Sequence, residues 1–170
     1  LSALVRESPL PVEVHLMVTD PVRWARTAAA CGCWRAVIHY ESVEDARDTA
    51  RILEALGIRP GLAVSPGTPV QDVAQVIDAY DLLLLMTVEP GRGGTPMRGD
   101  SYERAGEARV LLDRSAPATL LGVDGGVTAQ NIGGLRAAGV DSFVIGTHLF
   151  CDGDPRGRIR ALREQEENTR

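Results

Sequence analysis

The sequence contains no lysine; its 18 basic side chains are all arginine. Schiff-base chemistry needs an amine that can lose its proton, and a guanidinium does not lose one near neutrality. Lysine-dependent aldolases and pyridoxal enzymes are therefore excluded for this stretch. Aromatic residues are scarce, at 4%. No apolar run approaches the length of a membrane span. The opening residues, Leu1 to Arg6, lack the basic region and long apolar core of a signal peptide. A net charge of −5 argues against a nucleic-acid binder, because phosphate-backbone contacts need a basic face. The three cysteines, Cys31, Cys33 and Cys151, form no disulfide framework and point to a reducing, cytoplasmic setting. Cys31-Gly32-Cys33 is too tightly spaced for a usual zinc pair and reads as small thiols at a helix end.

What is present is regular alternation. Short apolar runs at 12–18, 35–40, 59–64, 81–88, 119–123 and 141–145 read as strands. Longer amphipathic runs at 21–31, 43–56, 69–79, 101–114, 129–138 and 155–167 read as helices. Asp20 is the expected N-cap of the first of these helices, with proline in first position. Gly57 ends the second, and Thr68 is a candidate cap for the third. Six βα repeats in strict order imply an α/β fold with a parallel sheet covered by helices. An open doubly wound sheet and an eight-stranded barrel both meet that pattern. No Gly-x-Gly-x-x-Gly follows the first strand, which weakens a dinucleotide-binding version. In the first strand Val12, Val14, Leu16 and Val18 form an apolar face, while Glu13, His15 and Met17 form a polar one. A buried strand with a polar second face suits the lining of a barrel.

His15, His39, Met86, Asp124 and Thr147 fall at or near the carboxyl ends of these strands, where catalytic groups of βα barrels collect. A single histidine there is usually a hydrogen-bonded core residue. Two histidines and an aspartate at matching ends of three strands point to a site, and such donors suit a divalent metal. Glycines cluster at the same rim: Pro90-Gly91-Arg92-Gly93-Gly94-Thr95, Gly125-Gly126 and Gly146-Thr147. Consecutive glycines let backbone N–H groups converge on an anion. One Gly-Gly is usually a turn; three at successive strand ends, with a hydroxyl at Thr147, describe a phosphate cradle.

The stretches His15-Leu16-Met17-Val18, Met86 through Gly94, Val123-Asp124-Gly125-Gly126-Val127 and Gly146-Thr147-His148-Leu149-Phe150 together resemble the ordered signature of the ribulose-phosphate 3-epimerase family. The similarity runs from about Leu1 to Phe150. It implies a (β/α)8 TIM barrel in one domain and a cytoplasmic isomerase that epimerises a ketose phosphate with a divalent metal ion, zinc, iron, manganese or cobalt. By this resemblance His15 and Asp124 are metal ligands, and Asp124 is also one of two acid–base carboxylates. Met17 and Met86 line the substrate, and His39 lies beside them on a matching strand. Gly93, Gly94, Gly125, Gly126, Gly146 and Thr147 hold the phosphate. The partner is a sugar phosphate, with neither nucleic acid nor membrane, and such barrels often form homo-oligomers.

Six repeats are not eight. By the same resemblance the chain opens near the end of the family's second helix, leaving roughly 60 residues of two βα units unaccounted for. Those units carry the second carboxylate and two further metal ligands. The 170 residues alone are therefore expected not to epimerise ribulose 5-phosphate, and robust turnover by them contradicts that expectation. Arg92 stands where the family usually has an aromatic, and it suggests an extra anionic group on the substrate; preference for the pentulose in both the natural protein and Arg92→Phe refutes that idea. Glu89, Thr95 and His148 are smaller departures. Two other readings compete. A decarboxylase on a related barrel relies on an Asp-x-Lys pair at strand 12–18, which is absent here, and a tryptophan-pathway isomerase shares the barrel. The second is a sugar-phosphate-binding paralogue or partner subunit that has lost its metal site. Fold alone does not separate these.

Overall fold

The computed structural model describes residues 1–89, 91, 94–151 and 153–167. Among them, β1 (Glu13–Leu16), β2 (Arg35–His39), β3 (Arg59–Val64), β4 (Leu82–Met86), β5 (Leu120–Asp124) and β6 (Ser142–Val144) form one sheet. Every neighbouring pair is parallel and the spatial order follows the chain order. The result is a half-barrel, with β1 and β6 at its two edges. The expected strands are thus present, each trimmed by a residue or more at an end except the third.

The helices are α1 (Ser2–Glu7), α2 (Pro21–Ala30), α3 (Ala46–Ala55), α4 (Ser101–Ser115), α5 (Ile132–Ala137), α6 (Thr147–Phe150) and α7 (Pro155–Glu167). As expected, Pro21 opens α2 and Asp20 caps it, accepting from the Arg23 N–H at 3.1 Å. Asp45 caps α3 in the same way through the Asp48 N–H at 2.9 Å.

The helix expected over 69–79 does not form. The segment makes two short 3-10 turns, Val70–Val73 and Ile77–Ala79. Two physical reasons stand out. Val70, Val73, Val76 and Ile77 are β-branched, which lowers helix propensity. The Thr68 hydroxyl, the expected cap, is engaged by Glu41 instead. The helix expected over 129–138 starts only at Ile132, because the Asn131 side chain accepts from the Thr128 N–H at 2.8 Å and holds the preceding residues in a turn.

Alternation along the strands separates two layers. Ala36, Ile38, Leu62, Val64, Leu83, Leu85, Leu121 and Val123 point outward and pack under the helices in one continuous core. Alanines at 25, 28, 46, 50, 105 and 108 let the helix backbones lie close to the sheet. The inner face carries a smaller apolar cluster, Val37, Ala63, Leu82 and Leu84. Below it the buried Arg35 pairs with Glu13 at 2.9 Å. Above it, at the carboxyl ends of the strands, lie His15, His39 and Asp124. Leu83 is fully buried in the outer layer. Leu83→Ala is expected to destabilise the fold by about 2–5 kcal/mol, read from denaturant unfolding midpoints.

Candidate active site

Three strand ends and one turn bring four titratable side chains into a line. His15 sits on the inner face of β1, His39 ends β2 and Asp124 ends β5. His15 Nδ1 lies 3.1 Å from Asp124 Oδ2, and its Nε2 lies 2.9 Å from His39 Nε2. The two rings are 14° from coplanar with centroids 5.0 Å apart. With the two nitrogens in hydrogen-bond range, that is the geometry of an in-plane N–H···N bond more than of face-to-face stacking. His39 Nδ1 in turn lies 3.4 Å from Glu41 Oε2.

Glu41 occupies the 3-10 turn Tyr40–Ser42 directly after β2. Its other oxygen accepts from the Ser65 N–H at 2.8 Å and from the Thr68 hydroxyl. Burial pushes the Glu41 carboxyl up, but hydrogen bonds from His39, Thr68 and Ser65 outweigh burial and hold it down at about 2. A folded value below the unfolded one, roughly 4.3, contributes stability that is present above the unfolded value. That contribution is lost as pH falls toward 2. The stability difference between the natural protein and Glu41→Gln is therefore expected to shrink as pH drops through this acid window, measured by urea unfolding at a series of pH values.

The second half of the site is a cavity of about 670 Å³ lined by Gly94, Asp124, Gly125, Gly126, Gly146 and Thr147, among others. Gly126 has φ +61° and the backbone of Thr95 and Met97 passes so close that a Cβ would meet Met97 N at 2.4 Å. Asn131 Nδ2 donates to the Gly126 carbonyl at 2.8 Å and holds this turn to the start of α5. The Thr87 hydroxyl donates to the Asp124 carbonyl at 2.9 Å and braces the turn from the β4 side.

The structure thus gathers His15, His39 and Asp124 in one line. It gathers Gly94, Gly125, Gly126, Gly146 and Thr147 around one cavity that Asp124 also borders. Met17 is 45% exposed and lines an adjoining hollow with His39, Glu41 and Ser65. Met86 is buried and pairs in register with Asp124, beneath the rim. Gly93 and Arg92 lie outside the described residues. Sequence reasoning passed over Glu41, although the spacing His39-Tyr40-Glu41 at a strand end was available as a signal. It also passed over Asn131 and Tyr102, whose place beside the cavity depends on tertiary packing.

Among the described residues no group of three metal-capable side chains assembles, and no helix is long and apolar enough to cross a membrane.

Residues 1–150 match the Ribulose-phosphate 3 epimerase family. A ribulose-phosphate 3-epimerase of Mycobacterium bovis is 32% identical over 165 residues, spanning 97% of this chain and 72% of that protein. The one from Escherichia coli K12 is 36% identical over 155 residues, spanning 91% of this chain and 69% of that protein. Among solved structures, 3-keto-L-gulonate-6-phosphate decarboxylase from Vibrio cholerae superposes with a TM-score of 0.75 at 16% identity, covering 99% of this chain and 78% of its own. A 3-hexulose-6-phosphate synthase superposes at 0.73 with 17% identity, covering 96% of this chain and 78% of its own. At such identities the structural likeness speaks for the fold alone, a TIM-barrel-type α/β architecture.

Proposed function

This chain belongs to the ribulose-phosphate 3 epimerase family, and we propose that the intact protein interconverts ribulose 5-phosphate and xylulose 5-phosphate through an enediolate. The observation that carries the reading is the shared cavity: a glycine-lined cradle and the Asp124 carboxylate border one space. A phosphate held by the backbone N–H groups of Gly94, Gly125, Gly126 and Gly146 and by the Thr147 hydroxyl leaves the sugar carbons directed toward Asp124. Asp124 takes or returns the proton at C3 on one face of the sugar. Met17 and Met86 supply soft apolar walls near the rim, and His39 supports His15.

His15 Nδ1 and Asp124 Oδ2 fit a divalent ion of the zinc, iron, manganese or cobalt class. Imidazole nitrogen and carboxylate oxygen are donors that such ions take, and these two, 3.1 Å apart, would hold it. A bound ion would supply positive charge for the oxyanion that develops as the C3 proton leaves. Inversion needs a second proton-transfer group on the opposite face. The open edges of β1 and β6 accommodate two further strands that close an eight-stranded barrel, and we place the second carboxylate and the remaining ion ligands on them.

Metal analysis of the purified intact protein tests this reading. One tightly held divalent ion per chain is expected, together with a melting temperature raised by ribulose 5-phosphate. A melting shift with ribulose 5-phosphate but neither bound ion nor turnover, even with zinc added, identifies a sugar-phosphate-binding paralogue instead.

A further inference from the structure

Asp124, His15, His39 and Glu41 are joined in series at 3.1, 2.9 and 3.4 Å. Both ends of the series are carboxylates, which when ionised only accept. Each of the three gaps therefore needs one positive centre, and two neutral imidazoles bring only two hydrogens. The third centre, a further proton or a small cation in its place, enters one gap from outside. At the Glu41 end the carboxylate is already fixed: one oxygen accepts from the Ser65 N–H and the Thr68 hydroxyl, which turns the other toward His39. Both carboxylates border open space, Glu41 the hollow beside Met17 and Asp124 the larger cavity, but among the described residues the Asp124 carboxylate is held by His15 alone and can turn to a small ion.

With a cation as that centre beside Asp124, every hydrogen-bond direction is determined. His39 Nδ1–H donates to Glu41. His39 Nε2 then carries a lone pair and accepts from His15 Nε2–H. His15 Nδ1 is left with its own lone pair, aimed at the space beside Asp124 Oδ2. We propose that Glu41 is a positioning residue: through the tautomer of His39 it selects which nitrogen of His15 offers its lone pair to the ion site. The inference rests on the reading of His15 and Asp124 as ion ligands.

Glu41→Gln inverts the logic without changing the shape. The Ser65 N–H and the Thr68 hydroxyl hold the glutamine carbonyl, so its NH2 faces His39 Nδ1 and donates there. His39 must then carry its hydrogen on Nε2 and donate to His15, which becomes the Nδ1–H tautomer and loses its lone pair toward Asp124. Long-range 1H–15N correlation of the imidazole nitrogens reads each tautomer, and the signals of His15 and His39 are assigned by their loss in His15→Gln and His39→Gln.

In the natural protein, with and without zinc, His39 is expected to be protonated at Nδ1. In Glu41→Gln it is expected at Nε2, with zinc affinity by calorimetry falling about tenfold to a hundredfold. His39 protonated at Nε2 in the natural protein overturns the proposal, and this measurement decides even if the variant does not fold. An unchanged His39 tautomer in a folded Glu41→Gln, or an inverted tautomer with unchanged zinc affinity, overturns it too. Zinc binding to neither protein, with the tautomers inverting as expected, removes the ion-site reading and leaves the tautomer control standing.

Discussion

Asp124→Asn in the intact protein is expected to slow epimerisation of ribulose 5-phosphate by about 1,000-fold or more while leaving the fold in place. Two losses combine. General acid–base transfer by a positioned side chain contributes typically 10²–10⁴-fold, and an amide has no proton to exchange at that step. The amide is also a weaker ion ligand than the carboxylate facing His15 Nδ1 at 3.1 Å. The shape is conserved and the side chain is 21% exposed, so the unfolding midpoint should stay close to that of the natural protein. Steady-state kinetics with denaturant unfolding on the same preparation checks both halves. Turnover within tenfold of the natural rate refutes the role given to Asp124.

The second large effect concerns the cradle. Gly126→Ala should raise KM for the sugar phosphate and lower kcat/KM by at least about 100-fold, roughly 3 kcal/mol of lost transition-state binding. At φ +61° an alanine is already strained, by on the order of 1–3 kcal/mol. Its Cβ would also stand 2.4 Å from Met97 N and 2.9 Å from Thr95 O. Both are backbone atoms, so relief requires moving the loop that borders the proposed phosphate site. Gly146 offers a contrast. Its φ is −101°, and a Cβ there meets nothing within 4 Å. Gly146→Ala should therefore leave stability nearly unchanged, so that any loss of affinity it shows reports on the cradle itself.

Much of this was legible in the residues. Strand alternation at 12–18 and the leucine run of β4 announced a sheet buried under helices, and the rim glycines Gly94, Gly125, Gly126 and Gly146 line one cavity. His15, His39 and Asp124 stood at matching strand ends before any distance was known. Three features were less visible. The turns of 70–79 replace a helix because Thr68, a good cap in sequence, is engaged by Glu41 some 27 positions away. The role of Glu41 depends on Ser65 and Thr68 reaching it from the loop after β3, a contact that local pattern does not encode. The choice between open sheet and barrel rested on one polar strand face, and it is the register of six parallel strands that turns that face into the wall of a site.

The most direct test is proton exchange at carbon. Ribulose 5-phosphate is incubated with the intact, zinc-supplied protein in D2O and followed by NMR. The account predicts xylulose 5-phosphate as product, deuterium at C3 in both epimers, and in Asp124→Asn loss of epimerisation, with exchange surviving at most in the one epimer that the opposite-face group deprotonates. Epimerisation with no deuterium at C3, or epimerisation at the natural rate in Asp124→Asn, contradicts it.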